Sequence, residues 1–82
     1  MKYIVYGKEN CSYCVKAKDL LTKNGLDFYY VDVSVQANRD ELLSLAESIG
    51  VTVSTVPQVF QTDWEGDTHY IGGYKELTNV LK

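Results

Sequence analysis

Tyr6-Gly7-Lys8-Glu9-Asn10-Cys11-Ser12-Tyr13-Cys14-Val15-Lys16-Ala17-Lys18 is the stretch on which the reading of this 82-residue chain turns. Just ahead of its polar Glu9-Asn10 corner, Tyr3 to Gly7 is apolar and rich in Ile, Val and Tyr, the pattern of a strand buried on both faces. Behind the corner, Cys14, Ala17 and Leu21 recur at helical spacing, while Lys16, Lys18, Asp19 and Lys23 mark a wet side. Asn24-Gly25 is a good stop, because glycine accepts the left-handed conformation that helix ends often need. A Cys-x-x-Cys thus follows a strand and opens a helix. A structural zinc site needs four ligands, and the chain offers one cysteine pair and a single histidine, His69. A structural disulfide closing so short a loop stabilises little. Redox chemistry fits the placement better. The first turn of a helix presents unpaired N–H groups and the positive end of the dipole, both of which favour a thiolate.

Outward from the cysteines the elements alternate. Leu26 to Val33 is a second β-branched and aromatic run. Asn38 with Glu41 predicts a capping box for a helix carrying Leu42, Leu45, Ala46 and Ile49 on its apolar stripe and ending at Gly50. Val56 to Gln61 and Thr68 to Ile71 read as strands joined by the polar loop Asp63–Asp67, and Tyr74 to Leu81 as a closing helix after Gly72-Gly73. The order is β-α-β-α-β-β-α. A right-handed crossover makes the first two strands parallel, the last two form an antiparallel hairpin, and the result is an α/β fold with a mixed four-stranded sheet flanked by three helices.

Composition narrows the function. Eight Lys+Arg against eleven Asp+Glu give a formal charge of −3, which disfavours broad binding to a nucleic-acid backbone. No apolar run approaches the length of a membrane span. The N-terminal Met1–Tyr6 is too short, and too soon followed by Lys8, for a signal sequence. The expectation is a single domain over residues 1–82, monomeric and cytoplasmic, with no nucleic-acid or membrane partner and no metal.

Three blocks together resemble the dithiol glutaredoxins, and in particular the small bacterial and phage members. They are Tyr6 to Lys18, then Thr55-Val56-Pro57-Gln58-Val59-Phe60, then Ile71-Gly72-Gly73-Tyr74. The resemblance implies a thioredoxin-like fold and a thiol–disulfide oxidoreductase that uses glutathione as reducing co-substrate, with no tightly bound cofactor. It implies that Cys11 is the nucleophile and Cys14 the resolving thiol. Pro57 matches the family's cis-proline, and the main chain of Val56, after Thr55, matches the edge that pairs with the cysteinyl part of glutathione. Lys8 matches a carboxylate contact and Tyr13 an aromatic wall. Gly73, Tyr74, Lys75 and Glu76 match the segment that holds the γ-glutamyl end. Two positions depart: Lys75-Glu76 stand where relatives usually carry an Asp, and Ser12 where the commonest motif has Pro. Dithiol members commonly reduce ribonucleotide reductase, which is therefore an expected partner alongside other disulfide-containing proteins.

Plainer roles exist for several of these residues. A surface lysine is usually just solvated, and Tyr13 can cover a helix start. Trp64 reads as an exposed loop residue or a packing cap, and His69 as a satisfied strand histidine rather than a catalyst. Two alternatives stay open on sequence: a redoxin driven by thioredoxin reductase, and a carrier whose dimer bridges a [2Fe–2S] cluster through Cys11 and glutathione.

Overall fold

In β1 (Lys2–Gly7), alternate residues face opposite sides, as a central strand requires: Tyr3 and Val5 join one apolar cluster, Ile4 and Tyr6 another. The computed structural model describes residues 2–81 and places β1 between two neighbours. On one side β2 (Phe28–Asp32) runs parallel, with Val5 opposite Tyr30. On the other, β3 (Gln58–Thr62) runs antiparallel, with Val5 opposite Val59. β4 (Thr68–Gly72) continues from β3 as a hairpin, giving the order β2-β1-β3-β4. The expected mixed sheet is present.

Two helices share one face. α1 (Ser12–Lys23) buries Cys14, Ala17 and Leu21, and α3 (Tyr74–Val80) buries Leu77; both close over Tyr3, Val5 and Val59. α2 (Gln36–Ser48) covers the other face, where Leu42 meets Tyr6 and Phe60. The Tyr6 and Phe60 rings meet edge to face with centroids 5.6 Å apart. None of these helices is long and apolar enough to cross a membrane.

The start of α2 differs from expectation. Its N-cap is Val35, which offers no side-chain acceptor, and Asn38 lies inside the first turn. The cause is the turn that ends β2: Asp32 Oδ1 accepts from both the backbone N–H and the hydroxyl of Ser34, so the chain bends into the helix early. Asn38 Nδ2 then donates to the Asp32 carbonyl at 3.0 Å. Glu41 accepts from the Tyr6 hydroxyl at 3.3 Å rather than closing a box. Burial, and then that carboxylate, push the Tyr6 phenol up to about 12. The apolar stripe also stops sooner: Ile49 is the C-cap and 43% exposed. β3 begins at Gln58 rather than Val56, because Pro57 has no N–H to give the ladder.

α3 is short, and Leu77 is its single buried residue. Leu77→Ala is expected to destabilise the protein by about 2–5 kcal/mol, the usual cost of emptying a core position. Urea denaturation measures it; a loss below about 1 kcal/mol would mean that α3 is held by something other than Leu77.

Candidate active site

Asn10 turns the chain from strand to helix with a φ of +59°, a conformation asparagine tolerates better than most residues. Cys11 follows as the N-cap of α1, in extended backbone geometry. Its sulfur accepts the backbone N–H of Cys14 at 3.2 Å, a place usually held by a hydroxyl or carboxylate oxygen. Cys11 and Cys14 are joined as a disulfide, with Cα atoms 5.2 Å apart. The two sulfurs are unequally accessible. Cys11 is half-buried and Cys14 fully buried. A donor already aimed at Cys11, together with the N-terminal end of α1, favours a thiolate there once the disulfide opens.

Cys14 is buried because the strand beneath it carries no side chain. A Cβ on Gly7 would lie 2.9 Å from Cys14 Sγ and 2.5 Å from the Tyr30 hydroxyl. Tyr30 donates that hydroxyl to the Lys8 carbonyl at 3.2 Å, and the Lys18 ammonium sits 4.1 Å from its ring centre. Burial, followed by Asp32 and Glu9, raises the Tyr30 phenol above its ordinary value, so it remains a donor at neutral pH.

Across from Cys11 lies the loop before β3. The Val56 carbonyl oxygen is 3.8 Å from Cys11 Sγ. A groove of about 400 Å³ runs from there to α3. Tyr13 forms one wall, with its ring centre 5.8 Å from that of Tyr74. Thr55, Val56 and Pro57 form the rim, and Gly73, Lys75 and Glu76 the far end. Eight of the nine residues expected to contact a ligand are therefore brought together. The ninth, Lys8, opens onto an adjoining hollow of about 430 Å³ that shares Thr55 and Val56 with the groove.

Glu76 is engaged locally. Its Oε1 accepts the Gly73 N–H at 2.8 Å and so caps α3, one half of a capping box whose other half a glycine cannot supply. Gly72 must be glycine on two counts: its φ is +125°, and a Cβ there would come within 2.8 Å of the Glu76 side chain.

Three residues that matter to this geometry were not singled out from sequence. Arg39 lines the hollow beside Lys8, and nothing in its local sequence sets it apart. Gly7 had a signal, since a glycine closing an apolar strand marks close approach. Gln58 is buried at 5% exposure in the middle of an apolar run, and its amide bridges Thr55 to Tyr70. Trp64 and His69 lie elsewhere, the first exposed on the hairpin loop and the second paired with Asp63 at 2.7 Å.

Known proteins share the sequence pattern and fold of this chain. Residues 3–63 match the glutaredoxin family. Glutaredoxin 1 of Escherichia coli (strain K12) is 35% identical over an 85-residue alignment that spans all of this chain and 94% of the relative. The structure of reduced Escherichia coli glutaredoxin superposes with a TM-score of 0.74 at 32% identity, covering 99% of this chain and 93% of that one. A buckwheat glutaredoxin–glutathione complex gives a TM-score of 0.74 at 25% identity over 96% of this chain and 66% of that one. With its thioredoxin-like fold and its cysteine pair at the start of a helix, the chain belongs to the glutaredoxin family and is a thiol–disulfide oxidoreductase.

Proposed function

We propose that the chain uses glutathione to reduce protein disulfides and glutathione mixed disulfides. The observation that carries this reading is the pair of hollows that meet at Thr55–Val56, directly across from the Cys11 sulfur. Glutathione has a carboxylate at each end and an extended backbone between them. One hollow offers Lys8 and Arg39 to the glycyl carboxylate. The other offers Lys75, the start of α3 and the Tyr13–Tyr74 wall to the γ-glutamyl end. Glu76 has one oxygen committed to Gly73, leaving the second for the ligand's amino group. Between them the Val56 main chain meets the cysteinyl residue and brings its sulfur beside Cys11. That a related buckwheat glutaredoxin forms a complex with glutathione supports the choice of ligand.

The steps follow from the unequal cysteines. Cys11, as thiolate, attacks one sulfur of a substrate disulfide, and the other sulfur leaves with the electron pair and takes up a proton. Cys14 loses its proton and attacks Cys11 Sγ. This releases the second substrate thiol and leaves the Cys11–Cys14 disulfide. A glutathione thiolate then attacks Cys11 Sγ, expelling Cys14 as the leaving group. A second glutathione attacks the glutathione sulfur of that mixed disulfide, which yields glutathione disulfide and frees Cys11. Such a cycle belongs to a compartment with a reduced glutathione pool, here the cytosol. Residues 1–82 act in it as one domain and as a monomer. Ribonucleotide reductase is the first protein substrate to test.

Cys11→Ser is expected to abolish both activities. Cys14→Ser should lose reduction of protein disulfides, which needs two thiols, yet keep deglutathionylation, which needs one. Steady-state assays on a disulfide protein and on a glutathionylated peptide measure the two, and equal loss in both variants would overturn the division of roles. Turnover with thioredoxin reductase as electron source, and none with glutathione, would overturn the choice of reductant.

Lys8→Ala and Arg39→Ala are each expected to weaken glutathione turnover several-fold, more at low salt than at high, because exposed ion contacts are modest and screened. Thermal stability should stay close to that of the parent. Unchanged dependence on glutathione in the double variant would show that the carboxylate lies elsewhere.

A further inference from the structure

We propose that Gln58 is a positioning residue: its buried amide turns the Thr55–Val56 peptide so that one backbone donor faces the groove, and Tyr70 completes the support. The inference rests on the glutathione reading above and concerns how the binding edge is held.

Apart from the phenols of Tyr3 and Tyr6, Gln58 is the one buried polar side chain that stands out among the described residues, set between Pro57 and Val59, both buried. A buried amide is costly unless its hydrogen bonds are made. Both ends are satisfied here. Nε2 donates to the Thr55 carbonyl at 2.8 Å, and Oε1 accepts the Tyr70 hydroxyl at 2.6 Å. The direction of the amide is not free. Reversing it would set Oε1 against the Thr55 carbonyl oxygen, two acceptors face to face, with no proton between them. The Tyr70 hydroxyl donates into the orientation that remains.

The consequence lies in the peptide unit itself. In a trans peptide the C=O and the following N–H point in opposite directions. The cis bond of this loop is Val56–Pro57, so Thr55–Val56 is trans. Drawing the Thr55 carbonyl toward the buried Gln58 therefore turns the Val56 N–H the other way, away from the core, where Thr55 and Val56 line the groove and the hollow beside it. Among the described residues no acceptor takes that N–H. The Val56 carbonyl, next along the chain, is the oxygen 3.8 Å from Cys11 Sγ. Gln58 and Tyr70 thus hold a free donor beside the reactive sulfur without touching the ligand.

The test uses three variants of the full chain. Gln58→Met keeps the volume and removes both hydrogen bonds, Gln58→Glu puts a carboxylate against the Thr55 carbonyl, and Tyr70→Phe removes only the outer hydroxyl. Leu21→Ala serves as a control that loses stability in the α1 core, away from the loop. The KM for a glutathionylated peptide is expected to rise about tenfold in Gln58→Met, the factor one hydrogen bond is commonly worth. It should rise further in Gln58→Glu and less in Tyr70→Phe, with kcat within about twofold. Without glutathione, the Val56 N–H residual dipolar coupling, which reports the direction of that bond, should shift in the same variants, and the control should change neither quantity. If Gln58→Met fails to fold, Tyr70→Phe carries both readouts. A change in one quantity without the other, or in neither, overturns the proposal, as does an equal change in the control. Should the parent protein turn over no glutathione, the functional reading fails by that result, and the direction of the Val56 N–H alone decides the role of Gln58.

Discussion

At the start of α1 a sulfur atom stands where most helices carry an oxygen, and the site is arranged around that substitution. Sulfur is a weak acceptor, so the N–H of Cys14 is less firmly satisfied than it would be by serine or aspartate. The arrangement is useful only if the sulfur stays at the helix end in both redox states. Its position is fixed by the end of β1, by the left-handed turn at Asn10 and by the bare backbone of Gly7 under the second sulfur. None of these depends on the disulfide. The helix end is therefore ready to receive charge on Cys11 before the bond is broken.

The groove beside it is a seam between three segments far apart in sequence. Tyr13 arrives with α1, Thr55 to Pro57 with the approach to β3, and Gly73 to Glu76 with the start of α3. α1 and α3 pack on one face of the sheet through Leu21 and Leu77. α2 packs on the other face and brings Arg39 toward Lys8. The loop at Thr55–Val56 lies where the two hollows meet, so neither face alone forms the site. Burial on both faces sets the spacing, and the polar bridge through Gln58 sets the orientation of the rim.

Where a feature follows from local chemistry, the sequence was enough. The alternation of β1, the stripe of α1, the stop at Asn24-Gly25 and the hairpin between β3 and β4 are all local patterns. The fold class was legible for the same reason, whereas the residues of the groove were named only through the resemblance that three motifs in a familiar order carry. The features that escaped depend on partners distant in the chain. Asn38 and Glu41 make a good capping box on paper, but the turn at Asp32–Ser34 and the Tyr6 hydroxyl claim them first. Glu76 reads as a free carboxylate until Gly73 is seen to donate to it. Arg39 acquires its meaning only when α2 is laid against the sheet beside Lys8.

The placement of Trp64 bears on how the protein can be watched. It is the single tryptophan of the chain, 86% exposed, in the loop after Thr62. Thr62 pairs with Lys2 at the beginning of β1, whereas the cysteines follow its end. Indole emission excited at the red edge therefore comes from a ring already in water, at the far end of β1 from the sulfur chemistry. Neither the opening of the disulfide nor the melting of the core changes that ring's surroundings greatly. The buried phenols of Tyr3 and Tyr6 sit inside the two clusters instead. Near-ultraviolet dichroism of tyrosine, and not tryptophan fluorescence, is the optical signal that reports on this fold.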